Sequence, residues 1–217
     1  KNILIDAGNS GTFARLLLGL LIKSPYEIKI SGDKSLSKRD FRRIMDPLKK
    51  FGAKFKSTNK NNLPIKILGS EFSKPINYFE KRGSAQCKSA VILAALNTPG
   101  RTLIEAKKSR NHTELFLKYL NLPLKIKNKK KNDVIEILGE NQFKSFDYKI
   151  PGDISSSSFF IVLTLLTTKS KLKIKDVNVN SSRIGFIKIV NKMGAKIKFI
   201  NKRNICGEQV ADICVNS

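Results

Sequence analysis

Asp6-Ala7-Gly8-Asn9-Ser10-Gly11-Thr12, running directly into Phe13-Ala14-Arg15-Leu16-Leu17-Leu18-Gly19-Leu20-Leu21, is the stretch from which the fold is read. Ile3-Leu4-Ile5 ahead of it reads as the end of a strand, and the apolar run after it as a mostly buried helix. The glycines let the backbone approach a ligand closely, and the first amides of the helix have no partner inside it. A turn built this way suits an anion, typically a phosphate. Many strand-to-helix junctions share these features and bind nothing, so the argument rests on repetition.

The device recurs twice. Gly83-Ser84-Ala85-Gln86-Cys87-Lys88-Ser89 opens into Ala90-Val91-Ile92-Leu93-Ala94-Ala95-Leu96, and Gly152-Asp153-Ile154-Ser155-Ser156-Ser157-Ser158 opens into Phe159–Leu166. Gly83 follows Gly8 by 75 residues, and Gly152 follows Gly83 by 69. Each copy precedes a second, amphipathic helix, expected at Asp40–Phe51, Thr113–Leu120 and Ile184–Met193. Two of these end alike, in Phe51-Gly52-Ala53-Lys54-Phe55-Lys56 and Met193-Gly194-Ala195-Lys196-Ile197-Lys198: a glycine stop, then an alternating strand. The period is too long for a solenoid repeat. The chain therefore reads as about three copies of one small α/β module.

Composition narrows the classes. A chain of 217 residues, 41% hydrophobic, can form one or two packed domains. No apolar run reaches the roughly 20 residues of a membrane helix, and no signal-peptide pattern opens the chain. Cys87, Cys206 and Cys214 have no metal-like spacing and read as reduced thiols of a cytoplasmic protein. Lys1 already lies in a strand-like run and Ser217 follows no closing element, so we read the chain as an internal piece of a longer protein. The net charge of +25 raises nucleic acid as a partner. However, the lysines are spread through every element, and the densest run, Lys125–Lys131, falls at an expected hairpin turn without interleaved aromatics. Compositional drift explains the charge best, followed by a field that attracts small anionic substrates.

Further along, Arg39 stands at the expected start of the Asp40–Phe51 helix, where a cation gains nothing from the helix dipole and an external anion would explain it; a solvated arginine is the plainer alternative. Asp40 can cap that helix. Strands are expected at Ala53–Ser57 and Ile65–Leu68, joined by the Thr58–Asn62 turn. Ser84 and Gln86 offer donors and acceptors suited to phosphate or hydroxyl groups, although Ser84 serves equally as a cap. Asn111 and Glu114 have capping-box spacing. His112, the single histidine, reads as a surface or packing residue. Phe146–Pro151 reads as a strand, with a domain boundary at that point, and Asp153 as the cap of the third apolar helix. The serines after it can cap or meet a ligand, capping being the plainer use. No catalytic triad can be assembled.

Taken in order, Gly8-Asn9-Ser10-Gly11-Thr12 with Arg15, Gly32-Asp33-x-Ser35-Leu36-x-Lys38-Arg39, Gln86-x-Lys88-Ser89-Ala90, Ser109-Arg110-x-His112-Thr113-Glu114, Pro151-Gly152-Asp153-x-Ser155-Ser156 and Met193-Gly194-Ala195 resemble the 5-enolpyruvylshikimate-3-phosphate synthase family over the whole chain. The Gly32–Arg39 wording and Val210-Ala211-Asp212 look like its bacterial class II branch. The resemblance implies an α/β fold of repeated βαβαββ modules, an inside-out α/β barrel in two similar domains, only partly present here. Residues 1–148 would be two modules of the first domain and 149–217 the incomplete start of the second.

It further implies enolpyruvyl transfer from phosphoenolpyruvate to shikimate 3-phosphate with release of inorganic phosphate, without metal or organic cofactor. The partners would be these small molecules rather than nucleic acid or membrane, and the protein a monomer. By the same resemblance, Gly11 lies against phosphoenolpyruvate and Arg39 grips its phosphate or carboxylate. Ser84, Ala85 and Gln86 bind shikimate 3-phosphate, and Arg110 lies near its phosphate. Asn9 and Thr12 join these as candidate substrate contacts. The family's acid–base residues are expected outside this stretch, so the isolated piece should be inactive. Herbicide-insensitive class II members carry alanine where Gly11 stands, which implies a glyphosate-sensitive parent. Two other readings remain. The sister enzyme acting on UDP-N-acetylglucosamine would need a reactive-loop cysteine, whereas Cys87 suits a buried role. The other is a non-catalytic remnant binding small ligands or nucleic acid.

Overall fold

Isoleucine and lysine alternate along the strands, and the alternation decides which face each strand buries. In β2 (Glu27–Ser31), Ile28 and Ile30 point inward and Lys29 outward; in β4 (Ile65–Leu68), Ile65 and Ile67 are buried and Lys66 is exposed. With β1 (Ile3–Asp6) and β3 (Lys54–Ser57) they form a sheet ordered β1-β2-β4-β3. Lys29, Lys66 and Lys56 stand side by side on its outer face. Much of the positive charge is thus the solvent side of strands whose other side is core.

The computed structural model describes residues 3–58, 60–139 and 145–217; Lys1 and one residue of the Thr58–Asn62 turn, Asn59, lie outside them. Helix α1 (Gly11–Leu20) connects β1 to the parallel strand β2, and α2 (Arg42–Lys50) connects β2 to β3. The next stretch repeats the order: β5 (Asn77–Glu80), α3 (Ala85–Leu96), β6 (Arg101–Lys107), α4 (His112–Tyr119), β7 (Leu124–Asn128), β8 (Asn132–Leu138), with sheet order β5-β6-β8-β7. The third runs α5 (Ile154–Leu166), β9 (Lys171–Asn178), α6 (Gly185–Lys192), β10 (Lys196–Ile205), β11 (Glu208–Asn216), with β11 central. Its first strand is reduced to one parallel bridge between Gly152 and Val177. Three βαβαββ units with one topology are therefore present, the last abbreviated.

Contacts divide the chain into two compact units: Lys1–Ser109 with Asn121–Phe143, and Arg110–Leu120 with Lys144–Ser217. The first is built on Leu18, Ile30, Phe41, Ile44, Leu48, Ile65, Ile67, Ile92, Ile104 and Ile135, each worth roughly 1.5–3 kcal/mol when fully buried. The second centres on Ile154, Ile161, Val177, Ile187, Ile213 and Val215. Among the described residues no helix is long and apolar enough to cross a membrane.

Several local expectations change. Of the three first helices, α3 is enclosed on nearly every side, whereas α1 leaves Phe13 and Leu20 exposed, and α5 leaves Phe159, Phe160, Leu163 and Leu166 exposed. Phe146–Pro151 forms no strand; only Gly152 beyond it finds a partner, through bonds with Asp176 and Asn178. The capping box at α4 does not form. The Asn111 side-chain oxygen instead accepts from Asn180 Nδ2 at 3.0 Å, because the amide distant in sequence outcompetes the local turn. Asp40 does not cap α2: Phe41 holds that position, and Asp40 accepts from the Arg42 amide.

Candidate functional site

The junction between β1 and α1 is folded by its own side chains. Gly8 takes φ +52°, a conformation that favours glycine. Ser10 caps α1 by accepting from the Phe13 amide at 3.1 Å. The Gly8 carbonyl accepts from the Asp33 amide, and Asn9 Nδ2 donates to Asp33 Oδ2 at 2.5 Å. Asp33 also accepts from the Leu36 amide at 2.7 Å. That bond, chiefly, holds the Asp33 carboxyl below the ordinary aspartate range, with Asn9, Ser35 and the charge of Arg39 adding to it against the opposing effect of burial. Asp33 thus stitches the loop after β2 to the turn before α1. Arg39 closes the single helical turn Leu36–Lys38 in that loop rather than opening α2.

This stitching sets two cations around one point. A β-carbon placed on Gly11 would lie 2.7 Å from Arg15 Nη1 and 3.2 Å from Arg39 Nη1. Arg15 Nη1 donates to Gln86 Oε1 at 2.8 Å, and Gln86 Nε2 donates to Thr12 Oγ1 at 2.6 Å. The Arg15 guanidinium also lies 5.1 Å from the centre of the buried Phe41 ring, a cation–π contact. Burial is the main cause that depresses the Arg15 pKa; Cys87 opposes it, and the charges of Arg39 and Arg43 add smaller depressions. Like charges held this close are relieved by an anion between or beside them, and the positive end of α1 adds to the field.

The start of α3 is braced from beneath. Glu80, 2% exposed, accepts from Arg43 Nη2 at 2.7 Å and from the Ser84 amide at 2.8 Å. Gly83 makes the turn at φ +71°. Ser84 Oγ accepts from the Cys87 amide at 3.3 Å, so Ser84 caps the helix, and Ala85 is its first residue. Cys87 is buried.

Gly11, Thr12, Arg39 and Gln86 therefore gather in one cluster of the first unit, with Asn9 in the loop stitch and Ser84 and Ala85 at the start of α3. Arg110 belongs to the second unit, just ahead of α4. Arg15 and Glu80 were not singled out as site residues from the sequence. Arg15 follows Gly11 by four residues and so shares its helix face; that spacing was the available signal.

The fold and this cluster define a class: a modular α/β protein that brings paired guanidinium groups, a fixed amide and a helix N-terminus to one point, an arrangement suited to a phosphate or carboxylate. Residues 1–216 match the family model of EPSP synthase (3-phosphoshikimate 1-carboxyvinyltransferase), and the chain belongs to that family. It is 43% identical over 216 residues to the 3-phosphoshikimate 1-carboxyvinyltransferase of Caldicellulosiruptor bescii, covering 99% of this chain and 50% of the relative. To that of Bartonella tribocorum it is 41% identical over 217 residues, covering 98% and 49%. The solved EPSP synthase of Acinetobacter baumannii superposes with a TM-score of 0.83 at 34% identity, covering 99% of this chain and 48% of that one. The chain spans about half the length of the relatives it matches.

Proposed function

We propose that this chain forms part of an enzyme that transfers the enolpyruvyl group of phosphoenolpyruvate to a hydroxyl of shikimate 3-phosphate and releases inorganic phosphate. The observation that carries the reading is the convergence of Arg15 and Arg39 on Gly11, beside an amide fixed by Arg15 and Thr12. Phosphoenolpyruvate carries both a phosphate and a carboxylate, and a fork of guanidinium donors matches either group.

In this account Arg39 holds the phosphate or carboxylate of phosphoenolpyruvate and Gly11 leaves room for it. Gln86 reaches toward both substrates, and Ser84, Ala85 and Arg110 serve shikimate 3-phosphate. These groups bind and orient: they bring two anions together against their repulsion and hold the attacking oxygen near the enol carbon. The proton leaving the hydroxyl and the proton reaching the methylene carbon are handled by residues outside this stretch. Residues 1–148 form two modules of one domain and 149–217 begin a second. The same reading makes the protein a cytoplasmic monomer acting on small anions rather than on nucleic acid or membrane.

The reading is tested by measuring phosphoenolpyruvate binding to the full-length protein in the presence of shikimate 3-phosphate, with and without Arg39→Ala. Losing a charged hydrogen-bond donor should weaken binding about tenfold or more. Unchanged affinity in a folded variant would remove Arg39 from the site and the reading with it.

A further inference from the structure

Resting on the reading above, we propose that Arg15 is a positioning residue: it fixes the orientation of the Gln86 amide beside Gly11 and transmits to it any change in the side chain at position 11. Arg15 lies four residues beyond Gly11 on α1, and helical side chains lean toward the N-terminus, so its guanidinium folds back over Gly11. Guanidinium is a donor only, so the Gln86 group facing Arg15 Nη1 at 2.8 Å must be the amide oxygen. The NH2 group is thereby turned to Thr12 Oγ1 at 2.6 Å, and the amide is held at both ends. Phe41, fully buried under the guanidinium, fixes the third side of Arg15.

Position 11 reads directly onto this arrangement. The atom nearest to a β-carbon at Gly11 is Arg15 Nη1 at 2.7 Å, ahead of Arg39 Nη1 at 3.2 Å and Leu36 Cδ1 at 3.4 Å. The first of these separations is too short to persist. A methyl group there moves the end of a flexible arginine before it moves anything else, and the arginine takes its bond to Gln86 with it. Gly11 is an ordinary helical residue rather than one in the left-handed region, so backbone strain does not compete with this effect. A side chain at position 11 therefore acts on the ligand partly through Gln86, and not only by occupying space.

The test is nuclear magnetic resonance of the full-length protein, following the Gln86 side-chain NH2 signals and titrating with inorganic phosphate. Gly11→Ala should shift those signals while backbone amides distant from Gly11 stay in place. Arg15→Met should shift them too and weaken phosphate binding about tenfold; in the Arg15→Met background, adding Gly11→Ala should move them no further. Arg15→Lys, which keeps the charge but loses the fork, should restore most of the phosphate affinity but leave the Gln86 signals displaced. Full restoration of both by lysine would mean that Arg15 supplies charge alone. Gln86 signals unmoved by Gly11→Ala, or moved equally with and without Arg15, would overturn the proposal. None of these readouts depends on turnover, so failure of the proposed reaction is seen separately, as absent product in the full-length protein.

Discussion

Arg183 donates through Nη2 to Asp153 Oδ1 at 2.8 Å, at the N-terminus of α5. Arg39 occupies the corresponding place in the first module, between the second strand and the second helix, where the first helix is capped by Ser10 and carries no acid in its first turn. Among the described residues Arg39 makes no ion pair, although its charge is felt at Asp33. The third module therefore neutralises its arginine with its own cap, whereas the first leaves the cation for something else.

Asp153 should give the second unit an acid-sensitive contribution to stability. Burial works to raise its pKa, but hydrogen bonds from Ser156 and Ser155 and the charge of Arg183 outweigh it, and the carboxyl is held below the ordinary aspartate range. A depressed folded pKa means a contribution fully present above the unfolded value and lost as pH falls through the folded one. Asp153→Asn keeps the cap and should flatten stability against pH below about pH 4, whereas Asp153→Ala should also cost about 1 kcal/mol at neutral pH. Urea unfolding at several pH values checks both; identical pH slopes in the wild type and Asp153→Asn would contradict the assignment.

Glu80→Ala should destabilise the first unit by about 2–3 kcal/mol, because it strands the Ser84 amide and removes the partner of Arg43. Phosphate affinity should fall as the start of α3 shifts. Denaturant midpoints and a phosphate titration measure the two effects. A loss of stability with unaltered phosphate affinity would show that the brace does not extend to Gln86.

Two glycines should respond oppositely to alanine. A β-carbon on Gly19 would lie 2.2 Å from the Ala90 carbonyl oxygen, where α1 crosses α3, so Gly19→Ala should cost about 1–3 kcal/mol by forcing the helices apart. Gly185, at the start of α6, has nothing within 4 Å of that position, and Gly185→Ala should be neutral or stabilising by up to about 1 kcal/mol. Thermal unfolding of the two variants decides the matter.

The full-length wild type should be inhibited by glyphosate and Gly11→Ala should be less sensitive, because the new methyl intrudes where Arg15 and Arg39 meet. Inhibition curves for the pair measure it. Weak inhibition of the wild type, unchanged in the variant, would contradict the role given to Gly11.

The modular fold was legible because its signals are local: Gly8, Gly83 and the glycine stops at Gly52 and Gly194 punctuate apolar runs of fixed order. What escaped was decided at a distance. Arg15 and Gln86 lie 71 residues apart, and no local pattern announces their bond. Asn111 has the right spacing for a capping box, yet its partner is Asn180, 69 residues on. Phe146–Pro151 has strand-like composition, but strands exist only where a neighbour supplies hydrogen bonds, and only Gly152 found one. The helix following Gly11 looked buried because its run is apolar; its exposure at Phe13 and Leu20 depends on what packs against it, which composition does not encode.

The most direct test of the central claim is to incubate the full-length protein with phosphoenolpyruvate and shikimate 3-phosphate and follow inorganic phosphate together with the mass of the product. The account predicts phosphate release matched one for one by a shikimate 3-phosphate derivative carrying the added enolpyruvyl group, with neither formed when the acceptor is omitted. Phosphate release without that derivative, or transfer to UDP-N-acetylglucosamine in its place, would contradict it.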